Sequence, residues 1–458
     1  METIKQTLIM AFLGVALLLA GCDKKPDASS RSFDKSEAYA QLEQFVAAQE
    51  AQSRVLAKKD GMKLPPDFDS FYKAAERGDW QTATNLFGRM SKRVQDDSTV
   101  HGSWWSATMD AYGVFEMFLS GDKYATAFGD DIIKSIPEGS IYFGGTDPGR
   151  FIVTAMSESH ADGIPFFTFT QNALADGTYL DYLRSMYGGK LYIPTGKDSQ
   201  KCFQDYTEDV ARRQQNNQLK PGEDVQVDKV SGRVQVSGQV AVMAINGLLV
   251  KTIFDKNPGH EFYIEESFPL DWMYPYLEPH GLIMKINRKP LPSLSDEIVK
   301  QDRDYWVKYV APMIGDWLNT DTSVQEIASF AEKIYLKNNL SGFSGDPQFV
   351  KNSDAQKMFS KLRSAIGGLY VWRGLHATAD DEKRRMDDEA DFAFRQAWAL
   401  CPYSPEAVFR YVNLLLSEGR ITDAILVAET SEKMTQLDGE QIRNLIAQLK
   451  QYQNQKRN

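Results

Sequence analysis

Apolar residues recur along this chain with two different periods, and the change of period divides it. After Ser36, a good helix N-cap, Ala38, Leu42, Phe45, Gln49, Gln52 and Leu56 fall on one stripe at helical spacing. Residues 65–93 read as a helix–turn–helix, and 104–119 and 123–134 as two further helices. At Pro137 the pattern changes. Residues 140–143 and 165–170 are short apolar, aromatic runs of strand type. Helical periodicity follows each of them, over 151–159 and over 176–187. Strand, helix, strand, helix predicts a parallel βαβ core. Helices over 199–218 and 239–255, and a hairpin over 225–236 around Ser231-Gly232, continue it. Strands over 261–265 and 282–286 flank the segment 269–279. From Ser295 the pattern is helical again, with a charged loop near 380–385 and a last helix over 440–452. The expected class is mixed α+β and α/β, mostly helical. A central α/β domain over 137–290, βαβ and Rossmann-like, lies between a helical region over 35–136 and a helical domain over 291–458.

A finer spacing recurs inside the helical parts. Gly78 and Ala83 are five residues apart, and Phe87 follows four later. Gly lets the chain turn, Ala lets two helices approach, and Phe fills the groove between them. Ala390, Phe394, Ala397 and Pro402, then Gly419 and Ala424 at the same five-residue offset, give the pattern twice more in register. The spacing resembles the tetratricopeptide repeat, in part at the first place and in two copies over about 386–437. That resemblance implies stacked helical hairpins with a concave face for a protein partner.

The N-terminus carries a different signal. One basic residue, Lys5, precedes an apolar run over 8–20, which ends in Leu19-Ala20-Gly21-Cys22. A short basic end, an apolar core of about a dozen residues and small residues at the junction make a signal peptide. The run falls short of the roughly 20 residues of a membrane span. Leu-Ala-Gly-Cys resembles a bacterial lipobox, which implies removal of residues 1–21 and acylation, palmitate included, on Cys22. The alternative is an ordinary secretory signal with a Cys at the junction. Residues 22–34, rich in Lys, Pro, Asp and Ser, read as a tether. The expected location is the bacterial cell envelope or periplasm, with the body extracytoplasmic and lipid-anchored. Asp23 resembles the inner-membrane retention signal of some enteric bacteria, and the choice between inner and outer membrane stays open.

Composition narrows the chemistry. The chain has 458 residues, with 42% hydrophobic and 12% aromatic content, enough for two or three domains with sizeable cores. A formal charge of −10 argues against nucleic acid and against docking on anionic lipid. Apart from Cys22 the cysteines are Cys202 and Cys401, in different predicted segments, and they are expected to be buried free thiols. Five His with no His-x3-His and no paired Cys give no metal site, and no phosphate loop or serine-nucleophile elbow suggests a cofactor or acyl-transfer chemistry.

Two stretches carry a further likeness. The first is Ile141-Tyr-Phe-Gly-Gly-Thr-Asp-Pro-Gly-Arg-Phe151, followed by Thr170-Gln-Asn172 and Tyr179-Leu180-Asp-Tyr182. The second is Phe262-Tyr-Ile-Glu-Glu-Ser-Phe-Pro-Leu-Asp-Trp272, followed by Tyr276-Leu277-Glu-Pro-His-Gly281. Over roughly 137–290 the chain resembles the extracytoplasmic region of membrane proteins related to protein O-mannosyltransferases. Their turn usually holds more Asp and Asn, and their many-helix membrane core has no counterpart here. The resemblance implies an accessory or binding role near envelope glycoconjugates, not transferase activity.

Ligands of open α/β sheets sit beyond the carboxyl ends of the strands. There the sequence places Thr146, Asp147 and Arg150, then Gln171, Asn172 and Asp176, then Glu265, Glu266 and Ser267, with Asp271 and Trp272 close behind. Carboxylates, amides, an Arg and an aromatic face suit a sugar, so the ligand-binding candidates are Asp147, Arg150, Asn172, Glu265, Glu266 and Trp272. Each also has a structural reading. Asp147 before Pro148 is a good N-cap, Asp176 caps the next helix, and Trp272-Met-Tyr274-Pro-Tyr276 suits a core. Glu265 and Glu266 point to opposite faces if both lie on a strand. Two readings follow: a lipid-anchored scaffold that recruits an envelope protein through its repeats, and a glycan-binding or glycan-processing lipoprotein that uses the strand ends.

Overall fold

The computed structural model describes residues 37–120, 123–156, 163–220, 222–227, 234–265, 272–434 and 439–457. They are mostly helical, with a small mixed sheet of five strands. The chain divides into two compact units at Phe268 and Pro269. The signal segment, the tether, Cys22, His160, Glu266, Ser267 and Asp271 lie outside the described residues.

In the N-terminal unit, α1 (Glu37–Lys59) packs along α4 (Ser103–Ser120) through a polar seam. Buried Ser53 donates to the Trp104 carbonyl at 3.2 Å and sits beside the Thr108 and Tyr72 hydroxyls. Leu42, Phe45, Gln49 and Leu56 of the predicted stripe are buried. α2 (Phe68–Glu76) and α3 (Trp80–Asp96) form the hairpin expected over 65–93. Gly78 takes a φ of 67° there, which favours glycine. Asp79 caps α3 by accepting from the Thr82 N–H, and Ala83 is fully buried. Phe87 stacks on Tyr112 at 3.8 Å, so the groove-filling role read from its spacing is met by a ring of α4.

α5 (Lys123–Ser135) precedes β1 (Ile141–Gly144). A helical turn (Pro148–Ile152) and the short α6 (Val153–Met156) precede β2 (Phe167–Thr170), which α7 (Gly177–Tyr187) follows. α8 (Gly196–Gln215) opens in a capping box between Thr195 and Asp198. β3 (Asp224–Val227) and β4 (Val234–Ser237) make an antiparallel hairpin, whose expected turn at Ser231-Gly232 lies outside the described residues. α9 (Gly238–Lys256) and β5 (Phe262–Ile264) complete the unit. β1 pairs in parallel with β2 on one side, Ile141 opposite Phe167, and with β5 on the other, Ile141 opposite Phe262. All three strands are buried throughout, as parallel strands covered on both faces are. Among the described residues α9 alone has the length and composition to cross a membrane. Here it packs on α8, with Asn246 fully buried.

The C-terminal unit begins with β6 (Leu277–His280) and β7 (Ile283–Ile286), antiparallel, with Gly281 at φ 61° in the turn. The segment 269–279, expected only to lie between strands, contributes most of β6. β6 is the edge strand, where a Pro is tolerated. Helices α10 (Asp296–Ile314), α11 (Val324–Ala331), α12 (Pro347–Val350), α13 (Ser353–His376), α14 (Asp380–Leu400), α15 (Pro405–Ser417), α16 (Ile421–Glu432) and α17 (Gly439–Arg457) follow. The charged loop expected near 380–385 is instead the first turn of α14. Asp380, Asp381 and Glu382 favour a helix N-terminus, where the peptide dipoles present positive charge.

Consecutive helices from α13 to α17 pack as antiparallel neighbours. The Ser360 hydroxyl donates to the Ala397 carbonyl at 2.7 Å, and Gly367 lies directly against the Phe394 ring. Ala390, Ala397 and Ala424 are fully buried, and Gly419 takes a φ of 78° between α15 and α16. Asp391 of α14 ties the next two helices, accepting from the Tyr411 hydroxyl at 3.1 Å and from Arg420 at 2.7 Å.

Two glycines of the N-terminal unit separate helix propensity from packing. A Cβ at Gly113 of α4 would lie 2.2 Å from the Phe151 ring, whereas a Cβ at Gly88 of α3 meets nothing within 4 Å. Gly88→Ala should therefore stabilise by about 0.5–1 kcal/mol. Gly113→Ala should destabilise by about 1–3 kcal/mol, because a ring locked in the core must move. Denaturant unfolding of the two variants beside wild type checks the opposite signs.

Candidate functional site

The carboxyl ends of β1, β2 and β5 meet at one edge of the N-terminal unit. β1 lies between β2 and β5, and the chain leaves β1 toward β2, so the crevice between β1 and β5 is the switch point where open sheets bind ligands. Glu265, the residue after β5, fills it. Its carboxylate accepts from the Gly145 N–H at 2.8 Å, from the Thr146 N–H at 2.9 Å and from the Thr146 hydroxyl. Thr146 in turn accepts from the Gly149 N–H at 3.0 Å, and the Tyr142 hydroxyl donates to the Gly149 carbonyl at 3.0 Å. A Cβ on Gly149 would lie 1.9 Å from the Glu265 carboxylate, so only glycine fits. Glu265 is 1% exposed. The backbone N–H groups of this turn would suit an anion, and the chain supplies one itself.

The other sequence candidates divide. Asp147 precedes Pro148 as expected, but its side chain makes no capping hydrogen bond. It pairs with Arg150 at 2.5 Å on the exposed side of the turn, where the ion pair competes for the carboxylate. Arg150 also lies over the Phe151 ring at 4.3 Å. Asn172 donates to the Gly145 carbonyl at 3.0 Å, and its own carbonyl accepts from Asn246 of α9 at 2.9 Å. It therefore links the β1 turn to α9. Asp176 caps α7 through the Thr178 N–H at 2.8 Å. Trp272 belongs to the C-terminal unit, where its ring meets Tyr276 edge-on at 6.1 Å. Arg150, Asn172 and Glu265 thus share one edge of one sheet. His260 is a turn residue bonded to the Gly139 carbonyl, and Cys202 and Cys401 are buried free thiols.

Asp110 of α4 completes this edge, and the sequence reading missed it. It accepts from the Tyr182 hydroxyl at 2.8 Å. Desolvation pushes its carboxyl up to about 6, against the opposing pull of the Tyr182 hydrogen bond and the Arg150 charge. Tyr179 and Arg150 interact electrostatically, and the Tyr179 hydroxyl accepts from the Thr170 N–H at 2.7 Å. A lone carboxylate amid the apolar residues 104–115 was the available signal. Among the described residues no group of three or more His, Cys, Asp and Glu is arranged to hold a metal ion.

A second candidate surface lies in the C-terminal unit. α13 and α15 pack on each other, α14 packs on both, and α16 packs on α15. The last three turns of α14 are buried on every side. Lys357 and Lys361 from α13 and Arg410 and Asn413 from α15 remain at least partly exposed. Lys361 lies 3.5 Å from Glu406, and Arg410 lies beside Gly368, so the two helices share one polar face. Comparison with protein-family models, curated proteins and solved structures finds no match to this chain.

Two substitutions test the strand edge. Glu265→Ala leaves two N–H groups and a hydroxyl without their carboxylate and should destabilise by about 3–5 kcal/mol, with isosteric Glu265→Gln costing less. Asp110 binds a proton more tightly folded than unfolded, where its value is near 3.8. Its charged form therefore weakens the fold. Stability from this group is fully present below about pH 4 and is lost as pH rises through about 6. Asp110→Asn, which still accepts from Tyr182, should be more stable than wild type at pH 8 by about 1–3 kcal/mol. The gap should close below pH 4, as melting curves across pH will show.

Proposed function

We propose that the protein is a lipid-anchored envelope scaffold that recruits a protein partner through its C-terminal helical hairpins. The observation that carries the reading is the polar face that α13 and α15 share, with α14 packed on both helices and α16 on α15. Such a face is rigid, because close helix crossings at Gly367 and Phe394 hold it, and its side chains are not consumed by the core. Lys357, Lys361 and Arg410 lie on this face with Glu406 and Asp354, so three basic groups accompany two carboxylates and an acidic segment is the partner chemistry proposed. The strand edge supports the same reading from the other side. Its switch-point crevice is filled by Glu265, which favours a structural turn there over an anion site. The tetratricopeptide-like spacing and the lipobox-like Cys22 complete the reading.

The test uses the full chain in its native cells. A photo-crosslinking residue replaces exposed Lys357 or Ser417 on the hairpin face, or Gln204 on α8 as control. One defined adduct from the first two positions, absent from Gln204 and lost with Arg410→Glu at unchanged melting temperature, is the expected result. No adduct, or the same adduct from all three positions, overturns the scaffold. Cys22→Ala in the same cells should abolish labelled palmitate incorporation and release the protein from the membrane fraction.

A further inference from the structure

One strand pair of the N-terminal unit stands apart from the main sheet. Among the described residues β3 and β4 pair only with each other. No backbone–backbone hydrogen bond there ties either strand to another part of the chain. One face of the hairpin is fixed, because Val225 and Val236 pack on Tyr206 and Val210 of α8 and on Ala241 of α9. The other face, with Gln226 and Gln235, is exposed. Natural sheets blunt an open edge with Lys, Pro, an inward-pointing charge or a bulge. β4 reads Val234-Gln-Val-Ser237, pairs in unbroken register with β3 and has none of these devices. Val242, five residues past β4 on α9, is 45% exposed, so apolar surface continues beside this edge.

The register of the hairpin shows what fits the edge. Antiparallel pairing there sets like against like: Val225 opposite Val236, Gln226 opposite Gln235 and Val227 opposite Val234. Residues directly opposite share a face of the sheet, where their side chains meet. A second β4, antiparallel about Gln235, repeats the same matches: Gln235 against the partner's Gln235, and Val234 against the partner's Val236. Every Val then stays on the helix-covered face and every Gln on the exposed one. β4 brings no charge to such a pairing, whereas β3 would bring Asp224. We propose that β4 is a self-association edge, at which two copies of this chain pair antiparallel about Gln235 into a four-stranded sheet. One surface serves both copies, as a two-fold contact requires. The ladder is four residues long, so the association is modest and concentration-dependent. The edge belongs to the N-terminal unit and does not depend on the scaffold reading.

The test co-produces two differently tagged full chains in the same cells and measures how much of one is recovered with the other. Wild type should co-recover. Gln235→Lys sets like charges opposite each other on the exposed face, so it should melt as wild type does and co-recover about fivefold less. Gln235→Lys produced with Gln235→Glu should regain the wild-type level, because residue 235 meets its own copy. Gln226→Lys on β3, equally exposed, is the control and should change nothing. A photo-crosslinking residue at position 235 should give an adduct of twice the chain mass. No co-recovery of wild type, co-recovery undiminished by Gln235→Lys, or no rescue by the Lys–Glu pair overturns the proposal. So does an adduct with a different protein only, which would give the edge to a foreign strand.

Discussion

The hydrogen bonds from the Gly145–Thr146 turn to Glu265 join residues about 120 apart in sequence, and the N-terminal unit is organised around them. The parallel strands beneath are short, and β1 pairs with β5 over only three residues. Ladders that brief do not fix a register by themselves. A buried carboxylate held by two backbone N–H groups and a hydroxyl does, because slipping β5 by one residue would swing Glu265 to the other face and leave those donors unpaired. Gly149 and Thr146 are chosen by the same carboxylate: one must have no side chain, the other must have a hydroxyl. The Gly-Gly-Thr-Asp-Pro-Gly run is thereby explained largely as the socket for a residue far along the chain.

The C-terminal unit uses a buried ion pair to a similar end. Asp302 of α10 accepts from Arg363 and Tyr370 of α13, each at 2.7 Å, and the Arg363 Nε donates to Gln396 of α14 at 2.7 Å. All four side chains are buried. Burying a guanidinium and a carboxylate costs roughly what their attraction returns, so the gain is positional rather than energetic. Three helices must meet at one rotation and one height for these groups to pair. A one-residue shift turns a helix by about 100° and breaks the set. The apolar residues of α14 are buried on all sides and do not impose such a choice, and the polar set supplies it.

Much of this fold was legible in the sequence. Hydrophobic period placed nearly every helix, and Gly78 and Gly419 marked turns that do require a positive φ. What failed was a competition between local signals and distant partners. Asp147-Pro148 has the sequence of a cap, but Arg150 takes the carboxylate. The segment 269–279 was expected between strands, but its end pairs with β7 as the edge strand, where a Pro is tolerated. The acidic run at 380–382 reads as a loop in isolation and as a helix start once the dipole is counted. At the strand edge the residue types were right and their roles were not: Glu265 was read as a ligand group, and it is the plug. Gln171 was placed at the strand end but not carried among the ligand-binding candidates, and Asp110 was missed because it lies in a helix of mostly apolar residues.

Placement relative to a membrane follows from chain length once Cys22 is taken as the anchor. The 14 residues 23–36 separate it from α1, and at full extension they reach at most about 50 Å. On the proposed lipid-anchored reading, the N-terminal unit would lie within that distance of the bilayer. On the same proposed reading, the polar face of α13 and α15 is the kind expected of a body held beside lipid, since such a face does not itself partition into the bilayer.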